Sequence, residues 1–288
     1  MLQNFERENL LRTAVVLTLW LGFVAPAVAE QRFEFAALAI PEDGRIVVPV
    51  IEGDALNGIA AVIDERTAGA LSVAAREAAF TGETGTTLTL LAVAPYSRID
   101  LIGIGAETVS RAAAEDFGGT ASALLGDTEG GSVHILWPGE NIDTDATAAR
   151  VAFGYRLRGY RFDEHKAEPF DRDKLPTVVL RSDDGSADEF ANDLVHLADG
   201  VFFSRNMSSE PANHIYPESF VERVREQFRG LDNVEIKVLD EDDIQRLNMG
   251  ALWGVGKGSS RPPRLLIIEY MGGGDQVPVV LALSLIHI

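Results

Sequence analysis

IDLIGIGAETVSRAAAEDFGGTASALLGDTEGGSVHILW, running from Ile99 to Trp137, decides the fold. Ile99–Ile104 is dominated by β-branched and aliphatic residues, the composition of a strand. Glu107–Leu125 is rich in alanine, the strongest helix former. Val133–Trp137 is apolar again and stops at Pro138-Gly139. Successive strand, helix and strand require a crossover connection, and crossovers build parallel sheets covered by helices. The alternation continues outward. Upstream, Arg32–Ile40, Arg45–Ile51 and Thr86–Val93 read as strands, with the turn Pro41-Glu42-Asp43-Gly44 between the first two. Thr67–Phe80 reads as a helix, with Leu71, Ala75 and Ala79 on one stripe. Downstream, Asp145–Tyr160 is helical and Thr177–Leu180 a strand. The fold class predicted is α/β, beginning with a domain whose sheet is mixed or mostly parallel.

Lys166 to Ser186 is polar and marks the approach to a boundary. A long helix, roughly Asp188 to Met207, links this domain to the next. Pro217–Phe228 is a helix with proline in its first turn, where the missing N–H does no harm. Val234–Leu239, Leu265–Tyr270 and Val277–Ala282 read as strands, the last two as buried ones, and Glu241–Leu247 as a short helix. The expected division is 30–185 for the first α/β domain and 186–282 for the start of a second. Strands left at an open sheet edge would be prone to aggregation.

The two ends read differently. Thr13 to Val24 is a continuous apolar run preceded by Arg7 and Arg12, with Glu6 and Glu8 weakening the positive character. Pro26 ends the run, and Ala27-Val28-Ala29 is a small-x-small cleavage pattern. Residues 1–29 are therefore expected to be a signal peptide, cleaved after Ala29. That predicts a periplasmic or secreted protein with no membrane attachment after cleavage. At the other end, residues 283–288 (LSLIHI) match the translation of a sequencing-adaptor end and read as an artefact.

Acidic residues outnumber basic ones 44 to 25, for a formal net charge of −19. Nucleic-acid binding needs clustered cations that displace phosphate counterions, so no nucleic-acid partner is expected. Cysteine is absent, which removes disulfides, thiolate metal sites and cysteine nucleophiles. Only four lysines occur: Lys166, Lys174, Lys237 and Lys257.

Motifs with chemistry are few. The five histidines, His134, His165, His196, His214 and His287, show no ligand spacing and read as isolated structural or surface residues. Gly103-Ile104-Gly105 resembles the start of a dinucleotide fingerprint, but Thr108 stands where a third glycine belongs; a tight strand-to-helix turn is the better reading. Gly254-Val255-Gly256-Lys257-Gly258-Ser259 fails as a phosphate loop, because Ala251 and Gly258 occupy required positions. It reads as a flexible turn with unusual backbone angles. The acidic runs Asp183–Asp184 and Asp240–Asp243 read as loop and helix-cap carboxylates. No catalytic, cofactor-binding or metal-ligating residue is assigned on spacing.

Two longer stretches are more specific. Asn206 to Phe220 (NMSSEPANHIYPESF) resembles the N-x-P-A-N-x-x-x-P-x-x-F segment of the leucyl (cytosol) aminopeptidase family. Asn248 to Tyr270 (NMGALWGVGKGSSRPPRLLIIEY) resembles that family's G-M-G-x-x-x-x-V-x-x-G-S-x-x-P-P-R segment. Ala152–Lys166 is similar to a helix end in its first domain, with His165 where tyrosine is usual. The resemblance implies an N-terminal α/β domain and a catalytic α/β domain. It also implies a homo-hexamer acting on peptide substrates and two divalent ions, Mn or Zn. The family's lysine and aspartate ligands follow a strand matching Val277–Ala282, so this chain stops before them. None of the four lysines matches a ligand position. Pro211, Asn213, Gly256, Ser259, Pro262, Pro263 and Arg264 match motif positions of structural type. The resemblance therefore implies an aminopeptidase fragment that binds neither ion and is inactive. The alternative from another class is a non-catalytic module binding a small ligand or nucleotide.

Overall fold

The computed structural model describes residues 31–53, 55–105, 108–126, 128–138 and 143–283. The expected signal peptide, the expected helix start at Glu107, His287 and residues 284–288 lie outside the described residues. Two compact units are formed. One is drawn from residues up to 107, 124–141 and 167–183; the other from 108–123, 142–166 and 184 onward.

The first unit is built on a six-stranded sheet. Its strands are β1 (Phe33–Ala36), β2 (Gly44–Ile51), β3 (Thr87–Val93), β4 (Tyr96–Gly105), β5 (Ser132–Leu136) and β6 (Thr177–Arg181), in the order β1-β6-β5-β2-β4-β3. Every neighbouring pair is parallel except β3 with β4. The mostly parallel sheet is as expected. Ile46, Val47 and Val48, three successive residues of β2, are all fully buried. Burial on both faces explains the run of apolar residues without alternation. On one face, Ile46, Val48, Ile99 and Leu101 pack with Ala60, Ile63 and Leu71 from α1 (Gly58–Arg66) and α2 (Ala70–Glu77). Each such aliphatic side chain contributes about 1.5–3 kcal/mol. The expected helix over 67–80 is real only as α2. Helix α1 is an addition, and Ala68 and Gly69, both with positive φ, break the chain between the two.

One charge is buried in this sheet. Asp100 on β4 is 1% exposed. It accepts from Thr89 Oγ1 at 2.5 Å and from Arg98 Nε at 2.7 Å and Nη2 at 3.1 Å. Arg98 also donates to the Leu124 carbonyl at 2.9 Å.

The second unit contains α3 (Arg111–Leu125, apart from its last two residues), α4 (Ala148–Arg158) and a long helical stretch. That stretch runs from α5 (Ala187–Glu189) through a π-helical segment (Phe190–Leu194) into α6 (Val195–Ser209). Helices α3 and α4 touch backbone to backbone. A Cβ on Gly118 would overlap the Val151 carbonyl, and one on Gly154 would overlap that of Glu115. Asp184 caps α4, accepting from Ala148 N at 2.6 Å, while Ser186 Oγ accepts from Ala149 N at 3.0 Å. Further along, α7 (Pro217–Gln227), β7 (Val234–Leu239), α8 (Glu241–Arg246), α9 (Gly250–Gly256) and β8 (Leu265–Tyr270) follow. Strands β7 and β8 pair antiparallel. Met207, Ile215 and Val224, with Phe203, Phe220, Phe228, Ile236 and Leu266, form a core joining α6, α7 and the two strands.

Leu265–Tyr270 is the expected strand, but two expectations of buried strands fail here. β8 is only half-buried, with Ile268 44% exposed. Val277–Ala282 forms no strand, and Val277, Val279, Val280 and Leu281 are 81–90% exposed. A strand exists only when a neighbour takes up its N–H and C=O groups. Among the described residues no strand pairs with this segment.

Candidate functional site

Glu210 lies at the end of α6, where proline decides the local backbone. A residue preceding proline is driven from the helical region. Glu210 is accordingly extended, at φ −66° and ψ 135°, and α6 stops there. Its N–H still donates to Asn206 O at 3.1 Å, so its carboxylate is fixed relative to the helix. The chain then turns: His214 N and Ile215 N both donate to Pro211 O, at 2.8 and 3.1 Å. Ile215 is buried in the core beneath, which leaves His214 on the outside. Ser219 Oγ locks the turn by donating to His214 O at 2.9 Å and accepting from Tyr216 N at 3.0 Å.

His165 reaches this place from the segment after α4. Three contacts tie α4 and the segment after it to α6. Arg156 pairs with Asp199 at 2.5 Å, Arg205 donates to Leu157 O at 2.6 Å, and the Tyr160 hydroxyl donates to Asn206 Oδ1 at 2.9 Å. His165 Nε2 lies 2.6 Å from Glu210 Oε2. Its ring stacks on that of His214, with centroids 4.5 Å apart and planes 30° from parallel. Phe162 meets the same ring edge-on at 5.7 Å. One donor atom from each of His165, Glu210 and His214 lies within 4.8 Å of the others.

The Glu210 side chain is fully buried, while both histidines are exposed. Burial alone would raise its carboxyl pKa. The hydrogen bond from His165 and the charge of Arg223 on α7 outweigh burial and hold it below the ordinary carboxylate value. Arg223 Nη1 pairs with Oε1 at 2.7 Å.

This grouping corrects the expectation that the histidines stand isolated. His165 and His214 are neighbours through a carboxylate 45 residues from the first of them. His134 is on β5, where its Nδ1 accepts from Arg181 Nε at 3.1 Å, and His196 is exposed on α6.

The other sequence candidates resolve locally. Gly103 and Gly105 are the end of β4 itself, not a turn into a helix. Gly103 N donates to Thr86 O at 2.9 Å and Gly105 N to Gly82 O at 3.0 Å. A Cβ at Gly103 would overlap Glu83 O and the Gly82 carbonyl. The space beside Gly103 is therefore filled by backbone, which accounts for glycine there.

Gly254–Ser259 is also corrected. Residues up to Gly256 belong to α9, and neither Gly254, Gly256 nor Gly258 has positive φ. Gly256 is required because the Pro263 ring lies 2.7 Å from where its Cβ would be. Asp240 caps α8 as expected, accepting from Asp242 N and Asp243 N at 3.1 and 3.0 Å. Arg264 pairs with Glu241, and Arg261 lies 3.9 Å over the Tyr216 ring. Lys237 is held between Glu235 and Glu269 at 3.3 and 2.6 Å, and Lys174 faces Glu129. Lys237, Lys174 and Asp240 thus serve pairs and a helix cap.

Comparison with known proteins matches two parts of the chain to one family. Residues 47–169 match the N-terminal domain of the cytosol aminopeptidase family, and 202–282 match its catalytic domain. The "Probable cytosol aminopeptidase" of Caulobacter vibrioides is 36% identical over 260 residues, 85% of this chain and 50% of that protein. Its counterpart in Brucella suis is 33% identical over 258 residues, again 85% and 50%. The chain spans about half the length of the curated relatives it matches. Among solved structures, a mutant of tomato leucine aminopeptidase aligns with TM-score 0.69 at 18% identity, covering 84% of this chain and 51% of that one. The bottromycin maturation enzyme in complex with Mn aligns with TM-score 0.59 at 18% identity, covering 79% and 45%. The two segments around Glu210 and Gly256, the mostly parallel sheet and both domain matches agree: the chain belongs to the cytosol aminopeptidase family.

Proposed function

We propose that the protein carrying this sequence is a metal-dependent aminopeptidase that releases N-terminal residues, leucine among them, from peptides. The observation that carries this reading is the catalytic-domain match over 202–282, with both motif segments in order. Two divalent ions, Mn or Zn, would supply a hydroxide near neutral pH and neutralise the developing oxyanion. The described residues offer no ligand set for that pair, so no step is assigned to them. What they contribute is support: the Glu210–Tyr216 turn, the α9–Pro263 contact and the β7–β8 pair. The family resemblance further suggests a homo-hexamer, and we propose a domain boundary near residue 185.

The test is an assay of leucyl anilide hydrolysis. The 288-residue chain is expected to show none, and a protein extended through the following reading frame is expected to show turnover that a chelator abolishes. Turnover by the 288-residue chain, or none by the extended protein with metal supplied, contradicts the proposal.

We also propose export, on the pattern Thr13–Val24 and Ala27-Val28-Ala29. The relatives are named for the cytosol, and no helix among the described residues is long and apolar enough to cross a membrane. N-terminal sequencing after expression in a bacterial host discriminates. A start at Glu30 supports export; an intact Met1 argues against it.

A further inference from the structure

We propose that His165, Glu210 and His214 form a binding site for one zinc-type divalent cation, pinning the segment after α4 to the turn after α6. The proposal does not rest on the peptidase reading. Two imidazoles and one carboxylate are the donor set that borderline cations such as zinc accept. Their donor atoms already lie within 4.8 Å of one another, and the donors come from two separate segments. At zinc–ligand distances of about 2.0–2.2 Å, tetrahedral donors stand roughly 3.3–3.5 Å apart. The 2.6 Å His165–Glu210 contact would therefore open by less than 1 Å, a movement within reach of an exposed side chain such as His165.

The surroundings suit a cation. The carboxylate is fully buried and ionised, and its second oxygen is held by Arg223 at 2.7 Å. A ligating carboxylate oriented through its other oxygen is the usual outer-shell arrangement at metal sites. Glu210 would thus bind through Oε2 alone. Both histidines are exposed, so the rings can turn toward an ion and a fourth position faces solvent. The competing account is a plain hydrogen bond: His165 ties the two segments by pairing with Glu210, and His214 merely stacks on it. The two accounts differ in what zinc does.

Titration of the chelator-treated 288-residue chain with zinc chloride, followed by calorimetry, tests this. One equivalent is expected to bind, and the visible ligand-field bands of Co2+ in the same site should show imidazole ligation. Glu210 variants risk unfolding because they strand Arg223, so the informative variants are H165Q and H214Q. Each is expected to weaken binding at least tenfold, and H196Q to leave it unchanged. Zinc should raise the Tm of the unaltered chain and not that of the double variant H165Q/H214Q. Absence of saturable one-to-one binding, or equal affinity in H165Q/H214Q, overturns the proposal. So does a Tm that H165Q lowers equally with and without zinc.

Discussion

Arg98 and Asp100 show how one residue can matter through another. Asp100 is fully buried beside a guanidinium that is 23% exposed. Removing the cation leaves the carboxylate buried with only Thr89 to accept from. Breaking a buried pair in this way costs about 3–5 kcal/mol. R98A is expected to lose that much in urea denaturation. R111A is the contrast: Arg111 pairs with Glu115 one turn along α3 while 53% exposed, and its loss should cost under about 0.5 kcal/mol. His134 carries a pH effect. Burial, then the charge of Arg181, depress its pKa below 6.5, against a smaller opposing effect of Glu34. The neutral ring accepts from Arg181, and protonation removes that acceptor. The stability due to the neutral form is complete above the unfolded value of about 6.5 and is lost as pH falls through the lower folded value. Urea midpoints from pH 8 to pH 5 should therefore drop less in H134Q than in the unaltered chain. Neither role was legible in the sequence. Asp100 and His134 sit within apolar runs, and their partners are fixed by strand register. The His165–Glu210–His214 grouping was equally hidden, because 45 residues separate its first two members. Only tyrosine replaced by histidine at 165, against the family pattern, pointed there.

Elements were more legible than contacts. Strands β2, β4, β5 and β6 were readable because burial on both faces leaves long apolar runs. Helix α1 escaped because Ile59, Ala60, Ala61, Val62 and Ile63 form a block and not a stripe. Helix α9 escaped because Gly250, Gly254 and Gly256 argue against a helix that tertiary packing nonetheless holds. The α3–α4 pair makes the strongest prediction at this scale. Gly118 and Gly154 allow the two backbones to touch, and either one replaced by alanine puts a methyl into a carbonyl of the facing helix. Backbone cannot yield as a side-chain end can. G154A is expected to cost about 3 kcal/mol, the upper end of the overpacking range. G200A is the control, since nothing lies within 4 Å of its added Cβ. Equal Tm values for G154A and G200A would refute the close crossing.

At the scale of the molecule, an ordered six-stranded sheet in the first unit contrasts with the two-stranded β7–β8 ladder of the second. Beyond β8 the chain leaves Val277, Val279, Val280 and Leu281 in solvent, a run that sequence patterning assigned to a buried strand. Apolar composition shows which residues could fill a strand, not that one forms. It could not supply the neighbour that would make them a strand. The family match extends to residue 282, and the chain spans about half of its relatives. The proposed function places its metal ligands after Ala282. Reading the genomic locus past the codon for Ala282 examines this most directly. The account predicts a frame that continues with a lysine and aspartates able to hold two ions. A frame that ends at once, or continues without them, would contradict it.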